Sequence, residues 1–102
     1  MAAWIDVASE NEIKPGEWIV VKSGLFDIII FNLEGEFYAI EDVCPHDGEE
    51  LSSGELEGDE IVCPRHGAQF NIKTGEVTVP PALEGVATFP TRVCGGKVQV
   101  KV

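Results

Sequence analysis

Apolar residues along this chain come in short β-branched or aromatic runs separated by turn-forming residues, which is the pattern of strands. Such runs occupy residues 18–21, 27–33, 37–40, 60–62, 69–72, 88–93 and 98–102. Glu34-Gly35, Thr74-Gly75 and Gly95-Gly96 fall between them and read as hairpin turns, with glycine supplying the positive φ that such turns need. Consecutive strands are therefore expected as antiparallel neighbours. The tail Lys97-Val98-Gln99-Val100-Lys101-Val102 alternates with period two, so its valines should face a core and its polar residues water, closing a sheet. No stretch combines helical length with helical periodicity, and Pro15, Pro80, Pro81 and Pro90 interrupt the places where a helix could start. The expected class is all-β.

A chain of 102 residues suits one compact domain, 1–102, and is too short for a second of ordinary size. Its 44% hydrophobic and 25% charged content is that of a folding sequence, without linker or low-complexity segment. The start, Met1-Ala2-Ala3-Trp4-Ile5-Asp6, lacks the basic and apolar stretches of a secretory signal. The longest strongly apolar run, Ile28-Ile29-Ile30-Phe31, is far below the roughly 20 residues that span a bilayer. The cytoplasm is the expected location. A formal charge of -11 argues against nucleic acid and anionic membranes as partners and favours a basic protein surface. Three cysteines cannot all pair within one chain, and in a reducing compartment clustered Cys and His point to a metal.

One internal echo carries the chemistry. Val43-Cys44-Pro45-His46-Asp47-Gly48 and Val62-Cys63-Pro64-Arg65-His66-Gly67 are two loops built alike, each offering one thiol and one imidazole. The pattern Cys-x-His, sixteen residues, Cys-x-x-His uses both histidines and two of the three cysteines. Thiolates suit iron in a sulfide cluster, and replacing two of four thiolates by imidazoles on one iron raises its reduction potential. The prolines stiffen the loops; Gly48 and Gly67 would let backbone pass close to the metal centre, where peptide N–H groups can donate to sulfur. A structural Cys₂His₂ zinc site is the alternative, although such sites commonly pair like ligands within each unit. Zinc protein is colourless, whereas an iron–sulfur protein is red-brown with a rhombic EPR signal once reduced.

Cys44-Pro45-His46 with Gly48, and Cys63-Pro64-Arg65-His66-Gly67, resemble the Rieske iron–sulfur family. Within it the chain is most similar to the ferredoxin components of bacterial aromatic-ring-hydroxylating dioxygenase systems. Residues 51–59, the Phe70…Thr74-Gly75-Glu76 stretch and Phe89-Pro90…Gly95-Gly96-Lys97-Val98 extend the likeness over nearly the whole chain. The resemblance implies a Rieske fold of stacked antiparallel sheets, with base sheets from 1–42 and 72–102 and a small cluster-binding lobe, 43–71. It implies one [2Fe–2S] cluster, with Cys44 and Cys63 on the inner iron and His46 and His66 on the outer iron near the surface. It further implies a one-electron carrier, without catalysis or small-molecule substrate of its own. Such a carrier would be monomeric and pass electrons from an NAD(P)H-dependent ferredoxin reductase to a terminal oxygenase. A small subunit of a reductase complex, such as nitrite reductase, is the second reading, disfavoured because many such subunits lack the ligands. The chain has no further histidines for an oxygen-activating iron centre.

Where the cytochrome bc-complex branch of that family places a loop-bridging disulfide, this chain has Glu49 and Arg65. Where that branch places two hydroxyl donors to the cluster, this chain has Ala68 and Phe70. Their absence should leave the potential toward the low end of the ~−150 to +300 mV Rieske range. Pro80-Pro81-Ala82 resembles the family's cluster-covering loop, or is a rigid surface turn. Eleven of the eighteen acids lie between positions 34 and 60; Asp47, Glu49 and Glu50 would steer a basic partner toward the imidazoles, or are simply solvated. Cys94 is expected as a small buried hydrophobe. Trp4, Trp18, Phe26, Phe31, Phe37 and Phe89 are expected as packing residues.

Overall fold

The computed structural model describes residues 3–24, 26–45, 48, 50–65, 67–80 and 82–102. In chain order its strands are β1 (Trp4–Ser9), β2 (Trp18–Lys22), β3 (Asp27–Leu33), β4 (Glu36–Glu41), β5 (Glu55–Glu57), β6 (Glu60–Val62), β7 (Gln69–Asn71), β8 (Val77–Val79), β9 (Thr88–Phe89), β10 (Thr91–Cys94) and β11 (Lys97–Lys101). The only helical piece among the described residues is a 3-10 turn, Leu51–Ser53. The architecture is all-β, in three antiparallel sheets of order β1-β11-β10, β2-β3-β4-β9 and β5-β6-β7-β8.

The apolar run of β3 explains how the sheets stack. Ile29, Phe31 and Leu33 point into one core, and Ile28 and Ile30 into another. Successive strand residues face opposite sides, so the sheet built on β3 is covered on both faces. On one side Ile28, Ile30 and Ala39 meet Ala8, Val98 and Val100 of the β1-β11-β10 sheet. On the other, Ile29, Phe31 and Ile40 meet Leu51, Ile61, Phe70 and Ile72, together with Cys44 and Cys63. Each fully buried Val, Leu, Ile or Phe among them stabilises the stack by about 1.5–3 kcal/mol. Asn32 is the polar exception in β3: its Nδ2 donates to the Ile13 carbonyl at 2.7 Å, and its Oδ1 accepts from the Gly35 amide at 2.7 Å.

The turns form as their sequences predict. Glu34 (φ 54°) and Gly35 (φ 92°) reverse the chain between β3 and β4, and Gly95 (φ 59°) and Gly96 (φ 79°) do so between β10 and β11. Both dipeptides have the paired positive φ of a type I′ hairpin. Val98 and Val100 are fully buried and Lys97 and Lys101 exposed, as the period-two alternation requires. The tail does not close a sheet, however; it is the central strand, flanked by β1 and β10. The run 88–93 is two strands, because the chain passes from one sheet to the next at Pro90, which has no amide to donate.

Cys94 is exposed, contrary to expectation. It ends an edge strand paired on one side only, where Arg92 and Val93 also face solvent. Phe31 is fully buried, whereas Phe26 is 37% exposed with its ring 5.5 Å from that of Phe89. Trp4 lies on the outer face of the first sheet beneath the Arg92 guanidinium, 4.1 Å from its ring centre.

Candidate metal centre

The first motif loop leaves β4 through Asp42, and the second joins β6 to β7. Both close in the same way: the Gly48 amide donates to the Cys44 carbonyl at 2.7 Å, and the Gly67 amide to the Cys63 carbonyl at 3.1 Å. Each glycine sits four residues after its cysteine with a left-handed backbone, φ 78° and 75° respectively. A Cβ on either would meet no protein atom within 4 Å. The glycine is therefore required by conformation, and its amide is engaged by the cysteine carbonyl. The second loop is tightened further by the Cys63 amide, which donates to the Ala68 carbonyl at 2.7 Å.

These turns carry the thiols inward. Cys44 is 0% and Cys63 1% exposed, and both belong to one core with Leu51, Ile61, Ala68, Phe70 and Ala82. No disulfide joins them. Pro45, Pro64 and Arg65, directly after the thiols, are exposed, so each loop runs from the core to the surface within one or two residues. His46 and His66 lie outside the described residues, as do Asp47, Glu49 and Pro81. With both imidazoles outside them, the described residues contain no group of three or more metal-binding side chains. Two soft donors, buried together on twin loops, suit an iron–sulfur cluster.

The surroundings of the thiols are apolar. Ala68 and Phe70 are fully buried beside them, so no hydroxyl stands at either position. Ala82 packs into the same core, while Pro80 and Leu83 on either side of the Pro81-Ala82 step are exposed, Leu83 by 90%. A recess of about 330 Å³ lies beside Cys63, lined by Ser53, Gly54, Glu55, Val62, Pro64 and Gly67. Glu50 and Glu55 are exposed near the motif loops, Glu55 pairing with Val62 just before Cys63, whereas the exposed Glu57 and Asp59 flank the β5–β6 turn at the far end of that hairpin. Lys73 pairs with Asp59 at 3.4 Å and lies 5.7 Å from the Tyr38 ring centre, linking the β5–β8 sheet to β4. Its ammonium is held above the ordinary lysine range, first by the Asp59 charge.

Two residues gain a role that the sequence did not signal. Asp42, counted among the acids near the motif, is buried rather than solvated. Gly54 is required because a Cβ there would lie well under 3.0 Å from the Val62 carbonyl oxygen.

The Rieske [2Fe-2S] domain model matches residues 3–90. The chain belongs to the Rieske family. The ferredoxin component of the naphthalene 1,2-dioxygenase/salicylate 5-hydroxylase systems of Ralstonia sp. is 34% identical over 99 residues, covering 97% of this chain and 95% of that protein. The biphenyl dioxygenase ferredoxin subunit of a Pseudomonas species is 39% identical over 93 residues, covering 90% and 85%. Among solved structures, a chain of the complex of reduced oxygenase and oxidised ferredoxin in carbazole 1,9a-dioxygenase superposes with TM-score 0.90 at 35% identity, covering 95% of this chain and 91% of that one. A Mycobacterium tuberculosis protein named as an NADH-dependent nitrite reductase small subunit, TM-score 0.87 at 23% identity, shares the fold. This Rieske protein is thus a ferredoxin-type electron carrier with one [2Fe–2S] cluster, which supplies one-electron redox chemistry. None of its described helical structure is long and apolar enough to cross a membrane.

Proposed function

We propose that Cys44, His46, Cys63 and His66 hold the cluster, with thiols on the inner iron and imidazoles on the outer one. We further propose that the chain relays electrons from an NAD(P)H-dependent reductase to the terminal oxygenase of an aromatic-ring-hydroxylating system. The observation that carries the ligand set is the pair of matched turns, each closed from glycine amide to cysteine carbonyl, that bury Cys44 and Cys63 in one core. The partners follow from relatives named as ferredoxin components of dioxygenase systems, one superposed structure being a complex with its oxygenase.

In this reading residues 43–71 form the cluster-binding lobe of a single domain, on a base from 1–42 and 72–102, and the protein acts as a cytoplasmic monomer. Electrons cross at the imidazole edge of the lobe, where the exposed acids favour a basic partner face. An iron and acid-labile sulfide assay with EPR of the reduced protein tests the ligand set. Two irons and two sulfides with a rhombic signal are expected, abolished by Cys63→Ser. A colourless protein holding zinc would overturn it. Loaded protein that accepts electrons from the reductase yet cannot drive the oxygenase would overturn the relay.

A further inference from the structure

The two motif loops are secured differently. The second is a hairpin end, bounded by the β6–β7 ladder that pairs Val62 with Gln69 directly before and after it. The first has no such ladder, because it starts from β4 in one sheet and leads to β5 in another. Its ends are joined instead by a side chain. The buried Asp42 carboxylate accepts the Ser52 amide at Oδ1 (2.8 Å) and the Ser52 hydroxyl at Oδ2 (2.7 Å). Asp42 is fixed to the base by its own amide, which donates to the Asp27 carbonyl at 2.7 Å. Ser52 is fixed there too, since its carbonyl accepts the Trp18 indole Nε1–H at 3.1 Å. Residues 43–51 therefore leave and return at two points pinned to the central sheet. The adjoining Leu51 is sealed in the core with both cysteines.

We propose that Asp42 and Ser52 form a clasp that positions the first ligand loop, making Asp42 a positioning residue for the cluster. The proposal rests on Cys44 and His46 being ligands. A carboxylate is suited to this place because two donors converge on it and each of its oxygens takes one; a carboxamide has a single acceptor oxygen. With the clasp closed, the first loop holds Cys44 in the core beside Cys63. With it open, the loop loses this tie to the base, and the cluster is lost by opening of this loop while the sheets remain folded.

Cluster loss is read from the decay of visible absorbance of the holoprotein at 25 °C, alongside EPR of the reduced state and thermal unfolding, for Asp42→Ala, Asp42→Asn and Ser52→Ala. Removing a hydrogen bond to a charged acceptor corresponds to about tenfold in loop opening. Ser52→Ala is expected to lose its cluster about tenfold faster than wild type, Asp42→Ala faster still and Asp42→Asn in between, with altered EPR line positions. Ser53→Ala, which removes only an exposed bond to the Glu50 carbonyl, should match wild type. Wild-type lifetime and EPR in Ser52→Ala overturn the proposal, as does cluster loss that merely tracks global unfolding; Ser52→Ala decides even if Asp42→Ala does not accumulate. Wild-type protein that carries no iron would instead defeat the ligand reading, independently of the clasp.

Discussion

Replacing Gly54 by alanine is expected to destabilise this protein severely, for a reason that differs from that of the open, positive-φ turn glycines such as Gly58. Gly54 has φ −81° and ψ −167°, a backbone any residue adopts, so no conformational penalty attaches to the substitution. The obstruction is steric: the new methyl would lie well under 3.0 Å from the Val62 carbonyl oxygen and 3.1 Å from that of Leu51. Both obstacles are backbone, and neither can swing away as a side chain would. Overpacking of this kind costs about 3 kcal/mol at the upper end of its usual range. At roughly 4–8 °C per kcal/mol for a domain of this size, melting should fall by about 12–24 °C. Gly58, in the β5–β6 turn of the same hairpin, gives the contrast, since its φ is 60° and nothing lies within 4 Å of its would-be Cβ. Gly58→Ala should cost only about 1 kcal/mol, the strain of a left-handed residue. Thermal unfolding of both variants, followed by far-UV CD and cluster absorbance, separates the two mechanisms. Because Val62 directly precedes Cys63, Gly54→Ala should also shorten cluster lifetime. If it melts within about 3 °C of wild type with its cluster intact, the close approach of residues 54 and 62 is not as described.

With Ala68 and Phe70 buried where a hydroxyl could serve the cluster, the midpoint potential should sit near about −150 mV, and Ala68→Ser or Phe70→Tyr should raise it; voltammetry showing a wild-type midpoint well above zero would refute this. Exposed Glu50 and Glu55 near the motif loops should make electron transfer to the oxygenase fall from low to physiological ionic strength, and stopped-flow rates insensitive to salt would exclude steering. The Glu12 carboxyl is held below the usual range chiefly by the Ser9 amide, so its stabilisation is present above about pH 4.3 and lost as pH falls through the lower folded value. The stability gap between wild type and Glu12→Gln in urea titrations should accordingly shrink below about pH 4, and a gap that widens there would reverse the sign of this coupling.

What could be read in the sequence was local. β3 and β6 coincide with their predicted runs, because dense β-branched residues between clear turns leave little choice. β5 was missed because Glu55-Leu56-Glu57 has weak strand propensity and forms by pairing with β6 through the Gly58 turn. β1 was missed because its partner, β11, lies at the other end of the chain. Cys94 was misplaced since propensity distinguishes strand from loop but not an edge position from a central one. At the metal centre, the motif named the thiols and their twin loops. The Asp42–Ser52 contact spans ten positions between two sheets, and an aspartate before an apolar loop has no pattern to announce it.

Asn32 has a consequence for β3 beyond its hydrogen bonds. In a sheet with one wet face, sliding a strand by one residue is penalised because greasy side chains surface. Here both faces are dry, so Ile28, Ile29 and Ile30 could trade sides with little hydrophobic protest. The carboxamide at position 32, matched to one carbonyl and one amide at fixed points, cannot be traded. It is the index mark by which an otherwise ambiguous run of isoleucines finds its frame.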